Sequence, residues 1–234
     1  MGSLLPDASS VTLSGASPSA GDALSDATGG SFYIHEMRTL RDDLAALGGA
    51  DITDEKLKAS IAVYNENRKA VRDLYAYRAQ KPWQAPTSEV YLVLRAGGVL
   101  PPEDHTNLIR EYLVEADREK RPQRDNARVV LTGSFCEQPP LGLIKSIEMA
   151  GCYVVDDDFQ LCQSWLLDDV PTTGDPLEEL SKAFLHRSTQ TASKYDDRKE
   201  DKGKHLLRQV KTRGAEGVIF AAASFCDPAL LERP

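Results

Sequence analysis

Several absences narrow the reading of this 234-residue chain before any motif is weighed. No apolar run approaches the roughly 20 residues that a membrane-spanning helix needs, so no membrane partner is expected. Basic residues are outnumbered: 28 Lys and Arg face 36 Asp and Glu, a net charge of −8. That balance argues against nucleic acid as a main partner, because phosphate binding needs a basic face. There is no GxGxxG and no P-loop lysine, so no ATP or dinucleotide site in those modes is expected. Cysteine is scarce: Cys136, Cys152, Cys162 and Cys226 are the only four. None forms a CxxC pair, so any metal site must gather ligands from distant parts of the chain. A secretory signal is also missing, with neither a basic n-region nor an apolar h-region at the start. A cytoplasmic location follows as the expectation. There thiols stay reduced, and cysteines at special positions read as ligands or nucleophiles rather than as disulfides.

What is present divides into three parts. Residues 1–30 are rich in Ser, Ala, Gly and Asp without periodicity and read as a flexible low-complexity leader. Residues 31–125 read as a helical region. Its first helix spans about Ile34 to Leu47 and stops at Gly48 and Gly49. Its second starts after Thr53, suited as an N-cap with Asp54 and Glu55 in the first turn, and ends before Pro82. These two form an expected helical hairpin. Glu89–Ala96 fits strand and helix equally, and His105–Lys120 is a helix. Residues 126–234 change character. Strands at Arg128–Thr132, Cys152–Val155 and Gly217–Ala222 alternate with helices at Pro140–Ala150, Pro176–His186 and Lys199–Thr212, and another helix begins at Pro228. Such alternation implies βαβ units. The fold class is therefore α/β: a helical hairpin followed by an incomplete Rossmann-like, doubly wound parallel sheet, with ligands beyond the carboxyl ends of its strands.

One local pattern occurs twice. Val129-Val130-Leu131 leads to Ser134-Phe135-Cys136-Glu137, and Val218-Ile219-Phe220 leads to Ser224-Phe225-Cys226-Asp227. In each copy an apolar strand runs into Ser-Phe-Cys, then an acid, then a proline, which is favoured at the first helical position. Both cysteines fall where a strand ends and a helix begins. Unpaired N–H groups and the helix dipole favour negative charge there and lower a thiol's pKa. A single such cysteine reads best as a small buried hydrophobe. The repetition at equivalent strand ends favours a role for Cys136 and Cys226 on a shared cofactor, provided their strands are neighbours. Thiolates hold iron–sulfur clusters. Cys162 is a third candidate, open between packing and ligation. Cys152 opens a strand at the opposite edge and reads as core.

Asp156–Asp158 follow the second strand. Adjacent carboxylates suit orienting a substrate, relaying protons or binding a hard cation; helix capping and a solvated turn compete equally with those roles. His35, His105, His186 and His205 show no ligand spacing.

The stretches Val129–Trp165 and Gly214–Pro234, with Ile52–Leu57 and Tyr64–Arg68, resemble the benzoyl-CoA reductase / 2-hydroxyacyl-CoA dehydratase family over about residues 31–234. Within it the likeness points to the B-type reductase subunit. The resemblance implies a 4Fe-4S cluster, an acyl-CoA substrate bound with a sister subunit, and separate ATP-hydrolysing iron–sulfur activator subunits fed by ferredoxin. It implies an oxidoreductase that converts benzoyl-CoA to cyclohexa-1,5-diene-1-carbonyl-CoA. The family's Phe-Cys-Asp cysteine, a cluster ligand, maps onto Cys226. Cys136 matches a cysteine typical of the reductase branch, as ligand or pocket wall, and Cys162 stands where the family has none. Asp156 and Asp157 are added as contributors to the pocket. The family carries an N-terminal α/β domain where this chain has its leader, and it continues beyond Pro234. An interior piece, inactive alone, is the expectation. Two other readings stay open: a 2-hydroxyacyl-CoA dehydratase subunit, or a non-catalytic α/β remnant with ordinary buried cysteines.

Overall fold

A computed structural model of the chain describes residues 30–133, 139–159, 168–186 and 203–226. Seven helices and three strands are defined among them. Four helices come first: α1 (Gly30–Gly48), α2 (Asp54–Gln80), α3 (Thr87–Ala96) and α4 (Pro102–Arg118). Thr53 caps α2 as expected, its hydroxyl accepting from the Lys56 N–H. The segment that fitted strand and helix equally is helical. Pro86 precedes α3 at its N-terminus, and its carbonyl accepts from the N–H groups of Glu89 and Val90. The helices pair differently from a simple hairpin. Helix α2 packs on α4, around Val71, Leu74, Val90, Leu94 and Ile109. Helix α1 packs chiefly against a later helix, α6 (Pro176–His186), where Tyr33 stacks on Phe184 at 5.1 Å.

The sheet comprises β1 (Ala127–Thr132), β2 (Cys152–Asp157) and β3 (Gly217–Phe220), all parallel, in the order β2-β1-β3. Helix α5 (Leu141–Met149) connects β1 to β2; α6 and α7 (Lys204–Arg213) lie between β2 and β3. This is the expected incomplete Rossmann-like α/β arrangement. Val129, Val130 and Leu131 are consecutive and all buried, so both faces of β1 are covered, as in parallel sheets generally. One face packs Val129, Leu131 and Val154 against Ile144 and Ile147 of α5 and Tyr91 of α3. The β3 ladder stops two residues short of the expected Ala222, at Phe220 opposite Thr132 of β1. Among the described residues no helix is long and apolar enough to cross a membrane.

The helices are tied to the sheet by polar groups inside the core. Arg78 of α2 and Asp157 at the end of β2 are both fully buried, with Nη2 and Oδ2 2.7 Å apart. Tyr75 donates its hydroxyl to Asp157 Oδ1 at 2.8 Å, and the Phe159 N–H donates to the same oxygen. The Arg78 guanidinium lies over the Tyr75 ring, 4.4 Å from its centre, which partly offsets its desolvation. Beyond the ion-pair contact with Asp157 its Nε, Nη1 and Nη2 make no hydrogen bond among the described residues. Burial pushes the Asp157 carboxyl above the ordinary carboxylate range although Arg78 pulls it back. Burial opposes the Arg78 charge, but Asp157 holds that guanidinium above its ordinary value. Elsewhere Thr87 donates to the Val154 carbonyl at 3.0 Å, and Arg128 of β1 donates to the Ala79 carbonyl at 2.7 Å.

His105 is one of the four histidines without ligand spacing, and its role is structural. Its Nε2 lies 3.0 Å from the Val93 carbonyl, and its Nδ1 lies 3.0 Å from the Asn67 amide nitrogen. A neutral ring satisfies both contacts, donating to the first and accepting from the second. Burial lowers its pKa below 6.5, with the Val93 carbonyl opposing.

These buried groups should govern stability. Asp157→Ala leaves the Arg78 charge buried and unpaired, and lowers stability by about 3–5 kcal/mol in denaturant unfolding. Tyr75→Phe lowers it by a smaller amount, about 1–3 kcal/mol. For His105 the depressed folded pKa means that the unfolded chain binds more protons in this range. Its contribution is complete above pH 6.5 and is lost as pH falls through the folded value. Thermal unfolding followed from pH 7.5 downward should show Tm dropping below about 6.5, less steeply in His105→Asn.

Candidate functional site

The chain leaves β1 for β2 on one side and returns for β3 on the other. The reversal falls between β1 and β3. In open parallel sheets the crevice at that reversal, outside the carboxyl ends of the strands, is where ligands sit. Thr132 pairs with Phe220 at the last rung, and the Ala221 N–H donates to the Thr132 carbonyl at 2.8 Å. The strands that lead in sequence into the two Ser-Phe-Cys segments, β1 and β3, are therefore parallel neighbours.

Just past the ladder the strand ends meet backbone to backbone. Gly133 has φ +100°, and a Cβ there would stand 3.2 Å from the Ala222 nitrogen and 3.3 Å from the Ala221 carbonyl carbon. Glycine meets both conditions, the left-handed backbone and the close approach. Beyond Ala222 the chain turns tightly, with the Cys226 N–H donating to the Ala223 carbonyl at 3.2 Å. Phe225 has φ +64°, an uncommon conformation for an aromatic residue. It is 97% exposed, whereas Cys226 beside it is 4% exposed. Backbone strain of this kind concentrates at functional sites.

The three aspartates at the end of β2 each bind a different element. Asp156 Oδ2 accepts from Arg213 Nε at 2.8 Å, at the end of α7. Asp157 holds Arg78 and Tyr75 of α2. Asp158 Oδ2 accepts from the Thr132 hydroxyl and from the Gly133 N–H, both at 2.7 Å. Asp156 and Asp157, expected at the pocket, are instead buried and occupied by arginines. Asp158, singled out only as part of the triplet, is the one that reaches the cysteine edge.

Of the predicted cysteines, Cys226 is the one placed by the structure. Cys136 and Cys162 lie outside the described residues, as does the helix expected from Pro228. Cys152 is half-buried at the amino end of β2, packed against the sheet cluster. It borders a cleft of about 500 Å³ walled by Trp83, Arg124, Lys145 and Tyr153, away from the reversal point. Among the described residues no group of three or more His, Cys, Asp or Glu side chains gathers around a metal position. Cys226 offers a soft sulfur donor suited to iron, which is one of the several ligands that a cluster takes.

Sequence reasoning missed Arg78, Arg213, the bond from Tyr75 to Asp157 and the strain at Phe225. Only the Asp-Asp-Asp run gave any signal, and its partners lie far along the chain.

The family model for the 2-hydroxyglutaryl-CoA dehydratase D-component matches residues 18–234, and the chain belongs to that family. The benzoyl-CoA reductase C subunit of Thauera aromatica is 57% identical to it over 209 residues, 89% of this chain and 54% of that protein. The likeness carried by the motifs pointed instead to the B-type subunit. More distant are the lactoyl-CoA dehydratase beta subunit of Anaerotignum propionicum, 28% identical over 84% of this chain and 52% of that protein, and the (R)-phenyllactyl-CoA dehydratase beta subunit of Clostridium sporogenes, 25% identical over 88% and 54%. The chain spans about half the length of the curated relatives it matches.

The contact at Gly133 is testable. Gly133→Ala should cost about 1–3 kcal/mol in urea unfolding. Gly142→Ala, in α5 with nothing within 4 Å of its added Cβ, should cost nothing or stabilise by up to about 1 kcal/mol.

Proposed function

We propose that this chain is part of the acyl-CoA-reducing subunit of an ATP-dependent, ferredoxin-linked benzoyl-CoA reductase. On this reading it contributes to dearomatising benzoyl-CoA to cyclohexa-1,5-diene-1-carbonyl-CoA. The observation that carries the proposal is the meeting of β1 and β3 at the reversal point, each running into a Ser-Phe-Cys segment. The 57% identity to a benzoyl-CoA reductase subunit supports the choice of reaction. An oxidoreductase subunit of the family's kind needs a soft-ligand redox centre and a crevice for an acyl thioester, and the carboxyl edge of the sheet suits both.

On this proposal Cys226 ligates iron of a 4Fe-4S cluster. Cys136 ligates iron or lines the pocket, and Cys162 is a third candidate. When bound, the cluster supplies single electrons at low potential. What the chain itself supplies is placement: a buried thiol on a strained turn, held against a rigid strand end. A sister subunit would complete the acyl-CoA site, and separate ATP-hydrolysing iron–sulfur subunits would deliver electrons from ferredoxin. The location proposed is cytoplasmic, and the chain by itself is proposed to be inactive.

A second reading has an observation of its own. The matching family model and the 25–28% identical relatives carry dehydratase names, and a 2-hydroxyacyl-CoA dehydratase would use the same edge to eliminate water. Assaying the complete complex with benzoyl-CoA against a 2-hydroxyacyl-CoA separates the two. A complete complex that is colourless and free of iron would instead mark a non-catalytic remnant. In the complete complex, purified anaerobically, Cys226→Ala should lower iron and acid-labile sulfide and reduce turnover at least about tenfold. Unchanged iron and unchanged turnover would remove Cys226 from the ligand set.

A further inference from the structure

We propose that Asp158 is a positioning residue for the Cys226 turn. This rests on the reading of Cys226 as a ligand, although its geometry stands apart from that reading. One carboxylate oxygen, Oδ2, takes both the Thr132 hydroxyl and the Gly133 N–H at 2.7 Å. The Asp158 N–H also donates to the Leu131 carbonyl at 3.2 Å. Asp158 thus ties the segment after β2 to the last residues of β1 and to the glycine beyond them. Those residues in turn hold the end of β3. The Thr132 carbonyl accepts from the Ala221 N–H at 2.8 Å, and Gly133 lies against the Ala221 and Ala222 backbone, where a Cβ would be crowded at 3.2–3.4 Å. From Ala222 the chain passes into the strained Phe225 and the buried Cys226. Every link from carboxylate to cysteine turn is either a hydrogen bond or a backbone contact.

Past the last rung at Thr132 and Phe220 the Ala221 N–H bond to the Thr132 carbonyl joins the strand ends, and the Asp158 carboxylate braces the residue that carries it. The clasp keeps them together. Because both bonds fall on a single oxygen, an amide oxygen in the same place can accept them equally. For the Thr132 and Gly133 bonds the clasp thus requires an acceptor oxygen at this place rather than a charge.

The test uses the full-length subunit with its partner subunits, as wild type, Asp158→Ala, Asp158→Asn and the milder Thr132→Val. Two readouts are taken: the paramagnetic resonance signal of the reduced cluster, and the alkylation rate of Cys226 after iron is removed by chelation, mapped by peptide mass spectrometry. Asp158→Ala should shift the resonance signal and speed Cys226 alkylation about tenfold, as local opening exposes the buried thiol. Thr132→Val should fall between, and Asp158→Asn should match wild type on both readouts. Unchanged alkylation in Asp158→Ala would overturn the proposal, as would Asp158→Asn behaving like Asp158→Ala. If Cys226→Ala keeps all its iron, the ligand reading fails. The alkylation contrast among the Asp158 variants then still decides the positioning role.

Discussion

The buried pair of Arg78 and Asp157 sets where the helices meet the sheet. Placing two charged groups in a dry interior is costly, and the attraction between them offsets this only with good geometry and further bonds. Here the further bonds go mostly to the carboxylate. Tyr75 and the Phe159 N–H share one oxygen, while Arg78 faces the other. The guanidinium is compensated less well, with a tyrosine ring beneath it and no hydrogen bond from its three nitrogens among the described residues beyond the ion-pair contact with Asp157. An apolar pair of similar volume would satisfy packing at least as well. What the ion pair adds is position: it joins Arg78 of α2 to Asp157 at the end of β2.

From that fixed point the rest of the carboxyl edge can be followed. The two residues flanking Asp157 reach outward in different directions, Asp156 to the end of α7 and Asp158 to the end of β1. Three consecutive carboxylates at one strand terminus thus bind three separate elements. These contacts engage them away from any hard cation and brace the strand ends at the reversal point. A redox centre benefits from such bracing, because ligands held in place cost little reorganisation when charge changes.

Much of the architecture was legible along the chain because its signals are local. Thr53 with Asp54 and Glu55 marks the start of α2, Gly48 and Gly49 end α1, and the β-branched runs mark all three strands. Glu89–Ala96 was ambiguous since Val, Tyr and Leu suit either structure over so short a span, and tertiary packing with the preceding Pro86 decided it. The partner of α1 was not legible, because α6 lies far along the chain and no local pattern selects it over α2. The site was half legible for the same reason. The repeated Ser-Phe-Cys segments named the edge, but that β1 and β3 are neighbours is a property of topology. The aspartates were left open between pocket and capping roles because the partners of Asp156 and Asp157, Arg213 and Arg78, are remote in sequence and sit on helices that carry no distinguishing mark. Left-handed backbone at Phe225 leaves no trace in composition at all.

If paired strand ends present sulfur to one iron centre at the β1/β3 reversal, the iron itself can be located there. Iron-edge anomalous diffraction from crystals of the complete complex is the most direct measurement. An anomalous peak in bonding contact with the Cys226 sulfur, in the crevice beside Gly133, is the predicted result. Iron located elsewhere, with Cys226 enclosed by apolar side chains, would contradict the account.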